Sequence, residues 1–326
     1  MQAGQKKLSL NKIKPLIKLG VTLGLLALLY RRIDVPKFAG RLGEIRWSWV
    51  GVFWLILLVN TAISTVKWRA LLRADGIRLS YRTLFSSQLI GSFFNMFLPS
   101  TIGGDAYRIV DVSQRSARTA NTVASVIADR LSGFLALALY GLILFPVFRS
   151  RYNPDPRLFL LPATAFAGLM VVVLALWEQA LLRRIAGWLP QRFRAKLEKP
   201  LDALLASMRV YGSQPRVMLT MALISFMFQF FAILAVYSIS RAAGLAIPLL
   251  PFGFFVPFIT LMEMIPISIF GIGLRDVGYV WFMHSVAHSS DDAAAMSLLY
   301  VAATVIYVSL GGLLYLAKRE SSSGAA

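Results

Sequence analysis

Seven charged side chains interrupt hydrophobic stretches of this sequence, and these residues are the best suited to chemistry. They are Asp105, Arg108, Asp129, Arg130, Glu263, Arg275 and Asp276. A charge at the centre of a membrane helix costs about 2.5–3.5 kcal/mol on insertion scales, so such a residue is normally paired or functional. The planar donor fork of an arginine fits a phosphate. For each arginine, the sequence leaves two roles open: contact with a phosphate, or a purely structural ion pair.

Two proline- and glycine-rich segments, 95–108 and 264–276, carry most of these charges. Each segment follows a hydrophobic stretch, breaks it, and closes on arginine and aspartate. Such irregular backbone occurs at membrane depth only where it is buried in protein or lines a wet cavity. Matched interruptions in two halves of a chain indicate a transporter-type binding site. The candidate substrate-binding residues are Asn95, Pro99, Gly103, Gly104, Asp105, Arg108, Asp129, Arg130, Glu263, Pro266, Gly271, Gly273, Arg275 and Asp276.

The residues of the first segment suggest individual roles. Asp105 follows two glycines and precedes a helical pattern, which predicts a helix N-cap. Arg108 comes three residues later, where the exposed N–H groups of a helix start favour an anion. Asp105 itself would repel an anion, so orienting Arg108 or Arg130 is its alternative role. Asp129 and Arg130 lie inside a long apolar helix and are expected to pair across helices.

The remaining ionisable residues give weaker indications. Glu263 lies one turn before a proline and is expected to pair with Arg275, with proton transfer as the alternative. His284 and His288 are spaced four residues apart, but no third ligand cluster accompanies them. The sequence therefore indicates no metal site, and a polar patch near the membrane surface is the simpler interpretation of the two histidines.

The composition is that of a membrane protein. Of 326 residues, 57% are hydrophobic and 15% are charged, whereas soluble domains are about 45–50% apolar. No connection between apolar stretches exceeds about 40 residues, which leaves no room for a separate soluble catalytic domain. The absence of cysteine excludes disulfides, iron–sulfur clusters and thiolate zinc sites. No nucleotide motif of the Gly-x-x-x-x-Gly-Lys-Ser/Thr kind is present, and no cofactor is expected.

The hydrophobic pattern predicts an all-α, polytopic integral membrane protein with a single transmembrane domain of residues 1–320. A span needs about 20 apolar residues. The first predicted span, 16–30, is shorter, and Lys18 lengthens it by snorkelling toward the membrane surface. Three further stretches, 84–98, 249–266 and 277–286, are too short or are interrupted by proline. They predict two re-entrant broken-helix hairpins whose tips are Pro99 and Pro266. The six predicted full spans are residues 16–30, 47–63, 119–148, 158–177, 217–240 and 295–316.

Six spans place both termini on one side, and the bias of lysine and arginine predicts that this side is the cytoplasm. One cluster, 31–46, opposes the bias and is interpreted as an amphipathic helix on the outer headgroups. The hairpins then enter from opposite sides, so the halves 47–148 and 217–317 are predicted to be inverted repeats. Residues 181–212 are predicted to form a basic amphipathic connector, and residues 321–326 a disordered tail.

Three motifs resemble those of a flippase-like family that includes the membrane region of lysylphosphatidylglycerol synthases. They are Phe94-Asn95-x-x-Leu98-Pro99-x-x-x-Gly103-Gly104-Asp105-x-x-Arg108, then Asp129-Arg130-Leu131, and Pro266-Ile267-Ser268 followed by Gly271-x-Gly273-x-Arg275-Asp276. The family pattern more often has glutamate at Asp276. The resemblance covers about residues 10–318 and implies a polytopic lipid-translocating domain. The synthases continue into further helices and a cytosolic aminoacyl-transfer domain, so synthase activity is not expected of this sequence.

These observations lead to the hypothesis of a non-enzymatic lipid transporter in a bacterial or archaeal inner membrane. Its substrate would be an anionic phospholipid or a polyisoprenoid-linked lipid phosphate. The two broken segments would meet near the midplane, where Arg108 and Arg275 would contact phosphate and the glycines would allow close backbone approach. Large aromatic residues would line an acyl path or simply pack. They are Phe93, Phe94, Phe97, Phe254 and Phe255.

Two other classes of function remain alternatives. One is an integral-membrane enzyme that acts on a lipid phosphate or glycosyl carrier, with Asp105, Asp129 or Glu263 as acid or base. The other is a scaffold that recruits a lipid-modifying enzyme. The net charge of +19 favours contact with anionic leaflets. The positive-inside rule already explains that charge, so no nucleic-acid partner is predicted. Homo-oligomerisation is left open.

Overall fold

The computed structural model describes residues 43–97, 103–178, 191–263, 274–286 and 288–323. Over these residues the elements are α-helices and one 3-10 turn, Pro156–Phe159. The first predicted span, most of the 31–46 cluster, and Pro99, Pro266, Gly271 and Gly273 lie outside the described residues. The α-helices are α1 Trp47–Ala74, α2 Tyr81–Phe97, α3 Gly103–Ser116, α4 Thr119–Tyr152, α5 Leu160–Glu178, α6 Gln191–Gly212, α7 Pro215–Ala242, α8 Leu249–Glu263, α9 Leu274–Ser285 and α10 Ser290–Ser323.

Five helical stretches in the described part of the chain are long and apolar enough to cross a membrane. They correspond to five of the six predicted spans, which confirms an all-α, polytopic membrane protein. Helix α1 extends eleven residues beyond its predicted end at Ile63, because its last turns bury polar side chains against neighbouring helices instead of leaving them in a loop. The five stretches are Trp47–Ala74, Thr119–Tyr152, Pro156–Glu178, Pro215–Ala242 and Ser290–Lys318.

The shorter helices follow the prolines only in part. Helix α2 is described from Tyr81 to Phe97, within the predicted stretch 84–98 at its carboxyl end, and Pro99 lies outside the described residues. The sequence predicts that proline breaks the stretch 249–266, which contains Pro251, Pro257 and Pro266, but α8 is continuous past the first two of them, from Leu249 to Glu263. Pro251 lies in the first turn, where a backbone N–H has no partner within the helix. Pro257 is accommodated inside the helix, which is buried along most of its length.

Parts of the basic connector and of the carboxyl-terminal segment are helical in the structure. Helix α6 covers the second part of the basic connector, and residues 179–190 lie outside the described residues. Helix α10 is described to Ser323, three residues into the segment 321–326 that the sequence predicts to be a disordered tail. The preceding Lys318-Arg319-Glu320 are good helix formers, which carries the helix past the end of its apolar part.

Helices α1 and α7 pack against each other in antiparallel orientation. The N–H of Arg46 donates to the carbonyl of Ala242 at 2.9 Å, which joins the start of α1 to the end of α7. Farther along, Lys67 Nζ donates to Ser225 Oγ at 3.2 Å. Helices α1 and α7 each begin one predicted repeat, and an antiparallel contact between them is the orientation that inverted repeats require.

The other helices exchange partners in the same way. Helix α2 packs on α10, and its counterpart α8 packs on α4. Each hairpin also rests on the long helix that follows it, α3 on α4 and α9 on α10. This arrangement places the α2–α3 pair near the carboxyl end of α1, and the α8–α9 pair near its amino end.

The largest apolar core lies between α8, α9 and the adjacent ends of α1, α4, α7 and α10. Phe254 and Phe255 are fully buried there. Phe254 stacks on Phe148, with ring centroids 5.2 Å apart, and Phe255 packs on Phe282 at 4.4 Å. These two aromatic residues therefore pack the core of the second repeat, which is the simpler of the two roles that the sequence left open.

Candidate functional site

The start of α3 lies unusually close to α2. A Cβ atom on Gly104 would be 2.1 Å from the carbonyl oxygen of Gly91 and 2.6 Å from Asn95 Cγ. The Gly104 N–H donates to Asn95 Oδ1 at 2.8 Å. Asn95 and Gly104 thus fix the beginning of α3 against α2, and glycine is required at 104 because any side chain would force the two helices apart.

Asp105 lies within the first turn of α3, so the prediction that it caps the helix is wrong. The helix already begins at Gly103. The carboxylate instead receives two hydrogen bonds from Arg130 of α4, Nε to Oδ2 at 2.8 Å and Nη2 to Oδ1 at 3.0 Å. Arg108 Nη1 lies 3.4 Å from Asp105 Oδ1. A first-turn carboxylate also interacts favourably with the helix dipole.

Asp129 is the second carboxylate of this region, and it joins three helices. Arg108 Nη2 lies 3.2 Å from Asp129 Oδ2. Lys67 Nζ of α1 lies 2.9 Å from Asp129 Oδ1 and donates to the Asp129 backbone carbonyl at 3.1 Å. We call Lys67, Asp105, Arg108, Asp129 and Arg130 the ion cluster. The pairing of Asp129 and Arg130 across helices, expected from the sequence, is confirmed.

An aromatic side chain holds the central arginine. The guanidinium carbon of Arg108 lies 4.1 Å from the centroid of the Trp68 ring, a cation–π geometry. The indole N–H of Trp68 donates to Ser125 Oγ at 3.0 Å, and Trp68 is fully buried. Arg108 therefore contacts two carboxylates and one ring, and it bridges α3 to α1 and α4.

The ion cluster combines burial with an excess of positive charge. Three basic side chains face two carboxylates, so its net charge is +1 with all five residues ionised. The side chains of Lys67 and Arg108 are 4% and 5% exposed, whereas that of Arg130 is 40% exposed. Arg130 is therefore the most exposed basic group of the cluster.

Lys67 is the residue that sequence reasoning missed, because the second predicted span, 47–63, ends before it and leaves it among the basic residues that follow a span. It is buried in α1 and donates to Ser225 of α7 as well as to Asp129. A polar stripe at helical spacing, Asn60, Ser64 and Lys67, is buried on this face of α1. That spacing of three and four residues was the signal available in the sequence.

The second hairpin carries a separate group of charges. Arg275 Nε lies 3.9 Å from Glu263 Oε1, the pairing that the sequence favoured, and its guanidinium carbon lies 5.3 Å from the Tyr300 ring centroid. Asp276 accepts a short hydrogen bond from Ser297. The structure does not bring these residues to the ion cluster.

The separation between the two groups follows from their contacts on α1. Tyr300, beside Arg275, packs on Phe53, whereas Arg108 packs on Trp68. The two α1 positions are fifteen residues apart, about 22 Å along a helix that rises 1.5 Å per residue. The guanidinium groups of Arg108 and Arg275 therefore lie near opposite ends of α1. They are too far apart to bind one phosphate together in the way that the sequence predicted.

The fold and these buried charges define a multi-pass α-helical membrane protein with paired ionisable residues inside its helix bundle. The chain matches the family model for the lysylphosphatidylglycerol synthase TM region over residues 16–312, and it belongs to that family. It is similar to a UPF0104 membrane protein of Methanothermobacter thermautotrophicus, with 29% identity over 263 residues, covering 72% of this chain and 75% of the relative. No solved structure matches.

Proposed function

We propose that the protein moves an anionic phospholipid or a lipid-linked phosphate between the leaflets of a bacterial or archaeal inner membrane. The observation that carries the proposal is the ion cluster, which holds an extra positive charge beside the break between α2 and α3. A charge without a counter-ion is costly at this depth. A phosphate would neutralise it, and membership in the lipid-related family supports a lipid as its source.

Arg130 is the residue proposed to contact the phosphate. Its guanidinium is partly exposed and binds Asp105 through Nε and Nη2. A phosphate can therefore approach the outer edge of the guanidinium and compete with Asp105 for the same planar donors. This competition makes binding reversible, because Asp105 restores the pairing of Arg130 after the headgroup leaves.

Arg108 and Lys67 are proposed to hold the carboxylates of the ion cluster in place and to contribute positive electrostatic potential at Arg130. Both are buried and are held by Asp129, and Arg108 is held by Trp68 as well. Arg108 Nε is buried and has no acceptor among the described residues. The proposed role of Arg108 thus changes from the direct phosphate contact expected from the sequence to electrostatic support for Arg130.

The packing of the two halves supports alternating access as the mode of movement. Antiparallel α1 and α7, together with the exchanged contacts of α2 with α10 and of α8 with α4, are the contacts that inverted repeats make. Each half places one charged group near one end of α1. We propose that rocking of the halves exposes these ends alternately.

The distribution of arginines in the described residues supports a cytoplasmic location for the α6 end of the bundle. The end that holds α6 and the start of α4 carries more basic residues than the opposite end, where α4 terminates. The residues at the α6 end are Arg69, Arg73, Arg78, Arg82, Arg115, Arg118, Arg209, Arg216 and Lys318, and those at the other end are Arg46, Arg149, Arg151, Arg157 and Arg241.

A leaflet-resolved assay in proteoliposomes tests the proposal. Fluorescent phosphatidylglycerol should move in both directions without chemical change. Arg130→Ala should slow this movement at least tenfold, since a hydrogen bond to a charged group contributes about 1.5–3 kcal/mol, and a tenfold change corresponds to 1.4 kcal/mol. The melting temperature should fall less than in Arg108→Ala, because Asp105 keeps Arg108 as a partner and Asp129 keeps both of its partners. Arg151→Ala, an exposed arginine at the other end of α4, is the control and should transport normally.

Arg108→Ala separates positioning from phosphate contact. It should lower both the melting temperature and transport, because Asp105 and Asp129 each lose a buried partner. Transport of anionic lipids that is unchanged in a folded Arg130→Ala protein would overturn the assigned site. Absence of movement for every anionic lipid, or conversion of the lipid into a product, would overturn the transporter in favour of the scaffold or the membrane enzyme.

A further inference from the structure

A second feature of the bundle lies on the opposite wall of α4 from α3. A cavity of about 680 Å³ opens between α4, α5, α6 and α7, within the range of about 300–1,000 Å³ that is usual for ligand sites. Its lining is almost entirely apolar, as shown by Leu131, Leu135, Phe166 and Val173. The surroundings of this cavity are lipid rather than water, because α5 is an apolar helix that the rest of the bundle covers only on a small part of its surface.

The depth of the cavity matches one leaflet of a bilayer. On α4 its lining extends from Ala128 to Leu139, a rise of about 16 Å at 1.5 Å per residue. The hydrocarbon core of a bilayer is about 30 Å thick, so one leaflet contributes about half of that. A chain that enters at the α6 end would therefore reach approximately the middle of the membrane.

The two ends of the cavity differ in chemistry. At the α6 end its lining includes Arg209, Tyr211 and Trp177. Tryptophan and tyrosine favour the headgroup level of a membrane, and Arg209 is exposed there. Toward the membrane interior only apolar groups and Ser132 line the cavity. Along the cavity, a basic residue is followed by aromatic residues and then by a deep apolar part. This order is complementary to an anionic headgroup followed by a hydrocarbon chain.

Methionines make the apolar wall adaptable. Four line the cavity, Met170, Met208, Met218 and Met221, and their unbranched, polarizable side chains adjust to irregular shapes. The cavity also touches the ion cluster through α4: Ser132 lines it and accepts a hydrogen bond from Lys67 Nζ at 3.4 Å. A lipid chain in this cavity would thus lie against the helix that carries Asp129 and Arg130.

We propose that this cavity binds one acyl chain of an anionic glycerophospholipid from the leaflet at the α6 end, with its phosphate at Arg209. The identity of this lipid as the cargo rests on the proposed function, whereas its binding does not. The chemistry of the lining selects a flexible hydrocarbon chain by its apolar surface and an anion by the arginine at the mouth.

Photocrosslinking in nanodiscs tests this proposal on the whole chain. The probe is phosphatidylglycerol with a diazirine in the middle of one acyl chain, and adducts are located by peptide mass spectrometry. Adducts should concentrate on the cavity-lining positions of segments 128–139, 166–177 and 218–226. An adduct map dominated by other helices would overturn the proposal.

A pair of neighbouring substitutions gives a matched control. Ala222→Trp adds a large side chain inside the cavity, because Ala222 lines it. Leu223→Trp adds the same side chain at a position that is 56% exposed and outside the lining. Adduct yield should fall at least fivefold in the first variant and stay unchanged in the second. Should Ala222→Trp fail to fold, Met170→Trp fills the cavity from α5 and carries the same expectation. Equal yields in a folded cavity-filled protein and the control would overturn the site.

Arg209→Ala tests the headgroup part separately. The adduct yield should fall several-fold for the phosphatidylglycerol probe and remain unchanged for a phosphatidylcholine probe with the same chain. An equal effect on both probes would overturn the assignment of phosphate recognition to Arg209. Crosslinking in the cavity without any lipid movement in proteoliposomes would contradict the proposed transport function but support the lipid site. Lipid movement without crosslinking in the cavity would support the transport function and overturn the lipid site.

Discussion

Lys67 Nζ lies 2.9 Å from Asp129 Oδ1 and 3.2 Å from Ser225 Oγ, so a single buried lysine joins α1, α4 and α7. These three helices are long enough to cross a membrane. The contact ties the antiparallel pair α1–α7 to the helix that carries Asp129 and Arg130. It therefore connects the α1–α7 contact to the proposed phosphate site.

Replacement of Lys67 is expected to destabilise the protein strongly. Lys67→Met leaves the Asp129 carboxylate with Arg108 alone, and breaking a buried ion pair typically costs about 3–5 kcal/mol. A cycle with Asp129→Asn and the double variant should show a coupling of at least about 1 kcal/mol between the two residues. Thermal unfolding in detergent measures each variant.

Lys318→Met is the control for Lys67. Lys318 Nζ also lies 2.9 Å from a carboxylate, that of Asp111, but its side chain is 36% exposed. An ion pair of that kind contributes about 0–1 kcal/mol, so this variant should unfold near the natural protein. Equal losses for the two lysines would show that the burial of Lys67 does not determine its role.

Gly104→Ala is expected to disrupt the junction of α2 and α3. The new methyl group would lie 2.1 Å from the carbonyl oxygen of Gly91, a backbone atom that cannot rotate away, so α3 must shift. Overpacking of this kind costs about 1–3 kcal/mol or more, and the shift also displaces Asp105 and Arg108. Melting temperature and anionic-lipid transport should therefore fall together.

Gly168→Ala provides the comparison for Gly104. Gly168 is also helical, but a Cβ atom there would meet nothing within 4 Å. Alanine is favoured over glycine in a helix by roughly 1 kcal/mol, so this variant should be neutral or slightly more stable. A loss of stability in Gly168→Ala as large as that in Gly104→Ala would contradict the steric explanation.

The predicted orientation can be measured by labelling, because the chain contains no cysteine. Cysteine at position 196, on α6, is expected to face the cytoplasm, and cysteine at position 153, after the end of α4, is expected to face outside. A thiol reagent that cannot cross the membrane should label position 153 in intact cells and position 196 only after permeabilisation. The reverse pattern would invert the orientation assigned from the basic residues.

A buried carboxylate at the α6 end gives an expected pH dependence. Asp75 follows α1 and accepts a short hydrogen bond from Tyr211 of α6, and burial raises the pKa of its carboxyl above the usual 3.8. A raised pKa in the folded state means that stability present below the unfolded pKa is lost as pH rises through the folded pKa.

The melting temperature of Asp75→Asn should therefore increase relative to that of the natural protein as the pH rises above about 4. Tyr211→Phe removes a donor that lowers the pKa of Asp75, so the decline in stability should move to higher pH in that variant. Melting curves between pH 4 and 8 provide the measurement. Parallel curves for all three proteins would contradict the raised pKa.

The sequence by itself determined which parts of the chain cross the membrane. Hydropathy is a local property, since any helix in lipid must satisfy its own backbone and present about 20 apolar residues. Five of the six predicted spans could therefore be found in the described residues from hydropathy alone. The resemblance of the motifs to a family also came from residues close together in the chain, and the family match over residues 16–312 confirms it.

Only the tertiary structure decided which charges meet. Asp105 was expected to cap α3, but the rotation of α3 about its axis points it at Arg130, twenty-five residues away. Lys67 lies beyond the predicted end of the second span at residue 63, but the length of α1 and its contact with α7 bury it. Arg108 is enclosed while Arg130 stays accessible. Pairing depends on helix rotation and on neighbours distant in the chain, and hydrophobic periodicity fixes neither to within the few ångströms that an ion pair requires.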